Sequence, residues 1–177
     1  MNILLNALNK SKTNKELLSF YDEKDNNNEF YIGYVSMIFN DSFLISSFDQ
    51  EGEPDGYILI RYVDIYKIEK DTLHLKKFSS LYTGEKENFF ENESTTNDGI
   101  DYLLLKLKSE NCLLSIKLIY QDYITGFLSR FDDEFIIIEM YTNLGISNGK
   151  VIIKYEDIQS LAFGRKEEKT IFKLIKR

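Results

Sequence analysis

One phrase occurs twice: "DGYILIRYVDI" begins at Asp55 and "NGKVIIKYEDI" at Asn148, an offset of 93. A fixed internal period is the strongest constraint a sequence can place on a fold, because it makes the chain a string of similar units. The correspondence extends beyond the phrase. "YIGYVSMIFNDSFLISSFD" (31–49) lines up with "YITGFLSRFDDEFIIIEMY" (123–141), with Gly33 against Gly126. Gly52 and Gly56 match Gly145 and Gly149, and Leu17-Leu18-Ser19 resembles Leu113-Leu114-Ser115. These matches predict two copies, over 1–80 and 101–177. The polar, acidic, aperiodic stretch 81–100 reads as the linker, with Phe89 and Phe90 its only strongly apolar pair.

Within a copy the signals are mainly of strands. Val35, Met37 and Phe39 alternate with Tyr34, Ser36 and Ile38. Asp55-Gly56 and Asn148-Gly149 are expected in tight hairpin turns, which need positive φ. The strand that follows puts Ile58, Ile60 and Tyr62, or Val151, Ile153 and Tyr155, on a core face. Its other face (Tyr57, Leu59 and Arg61, or Lys150, Ile152 and Lys154) should be half exposed. Asp64 and Asp157 then read as caps of a single helical turn. "TLHLKKF" and "KTIFKLIK" read as closing strands. Leu4, Leu5 and Leu8 suggest a helix before the first copy, while "IDYLLLKLK" before the second is open between helix and strand. About five short strands per copy predict a mainly β chain of two tandem small barrels.

A helix, a Gly-x-hydrophobic strand, an acidic turn, a second hydrophobic strand, a Gly-containing hairpin and a closing strand together resemble the Sm-like barrel. The resemblance covers residues 1–78 and 100–175, and uncharacterised bacterial proteins of similar pattern imply no activity. Gly33 and Gly126 take the place of the first-motif glycine, and Asp41 and Asp132 or Asp133 that of its acidic residue. The RNA-contacting asparagine is not matched: Phe43 and Ile136 stand there. Nor is there an Arg-Gly pair in the second motif, since Tyr62 follows Arg61 and Tyr155 follows Lys154. The resemblance implies the fold and leaves the RNA contacts behind.

Charge bears on the partner. The net charge is −7. Residues 1–80 hold 9 Lys/Arg against 13 Asp/Glu, residues 81–100 hold 1 against 5, and residues 101–177 hold 12 against 11. An acidic average disfavours a general grip on phosphate backbones, and "RKEEKTIFKLIKR" is the only basic candidate. No glycine-rich phosphate loop occurs. His74, the one histidine, reads as solvent-facing and Cys112 as a small buried side chain; neither suggests a nucleophile, a triad or a metal site. A single cysteine suits a reducing interior. "DQEGEPDG" reads as a solvated acidic hairpin, since a calcium loop would want a glutamate where Ile60 stands. The start is a poor secretion signal and no apolar run is long enough to span a bilayer, so a cytoplasmic protein is expected.

The expectation is a non-catalytic, cofactor-free protein that recognises another protein or assembles with itself, in one version as an acidic inhibitor or immunity-type protein. RNA binding in the Sm-like manner is the alternative. The residues singled out for partner contact are Tyr57, Arg61, Lys150, Lys154, Arg165 and Lys166.

Overall fold

In the computed structural model, which describes residues 2–22, 30–81, 98–119 and 123–175, the chain divides after Gly99 into two units. The acidic stretch read as a linker, with Phe89 and Phe90, lies outside the described residues except at its ends. Unit 1 runs α1 (Ile3–Asn14), β1 (Leu18–Tyr21), β2 (Tyr31–Ile38), β3 (Ser42–Phe48), β4 (Pro54–Arg61), β5 (Lys67–Glu69) and α2 (Leu73–Ser79). Unit 2 runs α3 (Gly99–Ser109), β6 (Leu113–Leu118), β7 (Tyr123–Phe131), β8 (Phe135–Tyr141) and β9 (Ser147–Lys154). A single 3-10 turn (Tyr155–Asp157), β10 (Ile158–Phe163) and α4 (Lys166–Ile175) complete it.

The fold is mainly β, and the ladders inside each unit are antiparallel. The strand order is β5-β1-β2-β3-β4 in unit 1 and β10-β6-β7-β8-β9 in unit 2. In each, the fifth strand returns beside the first. Among the described residues no ladder joins the two ends of either order, so the closed barrels expected from the sequence are replaced by open sheets. Closure needs a bonded pair between the flanking strands, and in unit 1 β5 is three residues long and is bonded to β1.

Residues 93 apart meet equivalent partners. Gly33 lies opposite Leu18 and Gly126 opposite Leu114. A Cβ built on either glycine would collide with a backbone carbonyl oxygen, that of Ser46 or of Glu139. Both glycines are therefore required by the closeness of the next strand. One residue beyond Val35 and beyond Leu128 the register slips, leaving Ser36 and Ser129 as bulges. The bulged hydroxyls reach the same place: Ser36 Oγ lies 2.7 Å from Ser46 Oγ, and Ser129 Oγ donates to Glu139 Oε1 at 3.4 Å.

Three local expectations are corrected. Asp55-Gly56 and Asn148-Gly149 do not form the hairpin turns. The turns lie earlier, where Gly52 N donates to Asp49 O and Gly145 N to Thr142 O. The dipeptides sit in second register slips, where Gly56 and Gly149 have φ of 72° and 79°. A bulge and a turn make the same demand for positive φ. "TLHLKKF" lies in α2 and its cap, and the described part of "KTIFKLIK", residues 169–175, lies in α4, rather than in strands. Asp71 (φ 58°) and Gly164 (φ 67°) turn the chain out of the sheet just before them. Thr72 Oγ1 then caps α2 by accepting from Leu75 N, and Leu75 and Phe78 pack on Ile32, Tyr34 and Phe48. Lastly, Asp64 and Asp157 end their turns instead of capping them: Asp64 receives Arg61 Nε at 2.6 Å, and the 3-10 turn has no side-chain cap.

"IDYLLLKLK" resolves to helix. Ile100, Leu103, Leu104 and Leu107 are all buried while Leu105 is 61% exposed, a one-sided stripe at helical spacing. α1 starts on Asn2, whose side chain accepts from Leu4 N and Leu5 N. It ends on Lys15 (φ 52°), and Asn111 (φ 50°) does the same after α3. No helix among the described residues is long and apolar enough to cross a membrane.

Candidate partner-binding surface

The repeated phrase behaves differently in the two units. In β4 both faces are covered: Tyr57, Ile58, Leu59 and Ile60 are all buried, although Tyr57 and Leu59 were expected half exposed. In β9 only Ile153 is buried; Ile152 is 67% exposed between exposed Lys150 and Lys154. Among the described residues of its unit β9 is bonded along one edge only, to β8. Alternation puts Lys150, Ile152 and Lys154 on one face, and register adds Glu139, Ile137 and Phe135 directly opposite them. Phe135 is 38% exposed. The loop at the Ser147 end of this hairpin exposes Leu144 and Ile146 as well. Thr142 Oγ1 shapes that loop by accepting from Leu144 N and Ile146 N at 3.3 Å. Gly145 (φ 73°) lets it pass against α4, since a Cβ there would stand 2.8 Å from Leu174 Cβ.

The basic residues singled out for partner contact do not gather into a cationic patch. Arg61 is held by Asp64. Lys150 Nζ lies 2.7 Å from Glu139 Oε1, and Lys154 is paired with Glu156. Those contacts hold the Glu139 carboxyl below its ordinary range and raise Lys154 above its own, through the hydrogen bond first and the opposite charge second. Arg165 makes a partly buried pair with the buried Glu168, Nη2 to Oε1 at 2.6 Å. Glu168 also accepts from Ser115 Oγ at 2.6 Å and from Arg165 N at 2.8 Å. Arg165 thus anchors the start of α4, a scaffold role. Lys166, the first residue of α4, is exposed. Lys150 and Lys154 alone share a face; Tyr57 is enclosed.

The positions that would carry an RNA-contacting asparagine are interior, with Phe43 and Ile136 both at 0% exposure. The acidic turns are occupied by backbone. Asp49 Oδ1 accepts from Glu51 N and Glu53 N, and Asp132 Oδ1 from Glu134 N and Phe135 N, which lowers the Asp132 carboxyl below its usual range. Asp41 Oδ1 accepts from Ser42 Oγ and Gly99 N. His74 is exposed, as expected, but on α2, edge-on to Phe30 at 5.6 Å. Cys112 is half buried, and burial followed by the Glu110 charge pushes its thiol up, away from nucleophilic thiolate.

Sequence reasoning put Lys150, Ile152 and Lys154 on one half-exposed face, and Ile152 is 67% exposed there. It passed over Leu144 and Ile146, for which two aliphatics flanking a loop glycine were the available signal. A comparison of the chain with protein-family models finds no match, and comparisons with curated proteins and with solved structures find none either.

Proposed function

We propose that this protein is a non-catalytic binding module that takes a protein partner on the β8–β9 side of unit 2. One observation carries the reading. Among the described residues an eight-residue strand, β9, has one edge outside its unit's ladder and an exposed Ile152 between two lysines, with exposed Phe135 opposite Lys154 and exposed Leu144 and Ile146 in the loop at the other end of the hairpin. Apolar side chains grouped this way on a surface mark interaction sites, and an unpaired strand edge is itself a template for another chain. The partner is another protein or a second copy of this one.

Within the same proposal, the two units are copies of one ancestral Sm-like element. The helix before the first strand, the fifth strand beside the first, and matching glycines and bulges 93 residues apart support this. The RNA chemistry associated with such elements has less support, because Phe43 and Ile136 lie inside and Arg61 and Arg165 are held by carboxylates. An acidic inhibitor or immunity role rests on the net charge of −7 alone. Charge of one sign steers association without identifying a partner.

The test is gentle purification of the tagged chain from its own cells, beside an Ile152→Asp variant. A protein retained in fixed stoichiometry after nuclease treatment, and absent from the variant, is the expected result. RNA that leaves as salt rises would replace this reading with the nucleic-acid one.

A further inference from the structure

We propose that the open edge of β9 accepts an extended acidic segment of a partner protein as an added strand. This rests on the protein-binding reading above and specifies the partner's chemistry. β9 reads Ser-Asn-Gly-Lys-Val-Ile-Ile-Lys from Ser147 and contains two lysines and no carboxylate. Lys150, Ile152 and Lys154 stand on its outward face with Ile152 67% exposed. A strand bonded to this edge places its own outward residues directly opposite those three, where opposite charges and apolar pairs are favoured. The complementary triplet is acid, apolar, acid at every second position.

The lysines are engaged on their other side by Glu139 and Glu156, but those pairs are exposed, with side-chain exposures of 60% and 42% for Lys150 and Glu139. Exposed pairs of this kind are worth little, so each ammonium can turn toward, or bridge to, a carboxylate on the incoming strand. A second copy of β9 fits less well. In the antiparallel register that stacks Ile152 on its own copy, Lys150 falls opposite Lys154 twice, a like-charge arrangement that is destabilising.

The experiment uses the full chain and two fluorescein-labelled nine-residue peptides of otherwise identical Thr/Val sequence. Their alternating central residues read Glu-Ile-Glu in one and Lys-Ile-Lys in the other. Binding is followed by anisotropy, and hydrogen exchange reports protection of residues 147–154. The acidic peptide is expected to bind about tenfold or more tighter than the basic one and to slow exchange across 147–154. The K150E/K154E double variant should reverse that preference. Equal binding of both peptides, with 147–154 protected, would overturn the acidic specificity while leaving the edge as a docking site. Absence of protection with either peptide would overturn the edge itself, leaving the lysines as guards against strand addition. A chain already dimeric by sedimentation, with 147–154 protected before any peptide is added, would make a second copy the occupant and overturn the proposal.

Discussion

Ser115 on β6 donates its hydroxyl to Glu168 on α4 across 2.6 Å, and the same carboxylate receives the Arg165 guanidinium. Glu168 is 2% exposed, so its charge has left water and depends on these partners. Removing one side of such a buried pair costs about 3–5 kcal/mol. Arg165→Ala is therefore expected to destabilise the protein by about 3 kcal/mol. The position 93 residues earlier is Leu75, buried in an apolar cluster, while Ser19, which takes the place of Ser115, has a buried hydroxyl with no hydrogen-bond partner. The Glu168→Leu/Arg165→Ala double variant should therefore recover most of the loss. Urea denaturation of the three proteins checks this; a double variant no more stable than Arg165→Ala would refute it.

Gly33 and Gly126 should tolerate no side chain. Each Cβ would strike the carbonyl oxygen of the neighbouring strand, and backbone cannot move aside as a flexible side chain can. Gly33→Ala and Gly126→Ala are each expected to cost about 1–3 kcal/mol, the range of core overpacking. By contrast, nothing stands near a Cβ at Gly149, whose φ of 79° is the only obstacle. Gly149→Asn, which suits positive φ better than alanine, should cost about 1 kcal/mol or less. Thermal melts of the three variants give the ranking.

The Glu139 carboxyl is depressed by Lys150, so its ionised form is favoured in the folded state. A depressed carboxyl contributes stability that is present above its unfolded value and is lost as pH falls through the folded one. Carbon-detected NMR titration should place the Glu139 midpoint below that of a glutamate in an unstructured peptide, and Lys150→Ala should raise it. Asp132 should also titrate low, but it should stay low in Lys150→Ala because backbone N–H groups are the main cause there.

Cys112 should be a slow nucleophile. Its thiol is raised by burial and by the neighbouring Glu110, which lowers the thiolate fraction at neutral pH. Alkylation by iodoacetamide is expected to be slower than for a cysteine in a short peptide. Glu110→Gln should speed it only modestly, because burial is the larger cause. A faster-than-peptide rate would show an activated thiol instead.

Local pattern was enough to place most of the strands. Period-two alternation located β2, β4 and β9, and the similarity of 31–49 to 123–141 carried the reading to β3, β7 and β8. Those features are legible because they are set by residues next to one another in the chain. Other features depended on what meets each residue in space. A seven-residue run such as "TLHLKKF" satisfies strand and helix patterns alike. It became α2 because Asp71 turns the chain and Leu75 and Phe78 find Ile32, Tyr34 and Phe48. Asp55-Gly56 demanded positive φ, but only register decided between turn and bulge. The same phrase, Tyr57–Ile60 in one unit and Lys150–Ile153 in the other, is covered in β4 and largely exposed in β9. By itself the sequence determined the predominance of strands and the demand for positive φ at Gly56 and Gly149, because both are written in residues close together in the chain. Only the tertiary structure decided which strand edge and which apolar face remain on the surface, because burial is a property of what packs against a residue rather than of the residue.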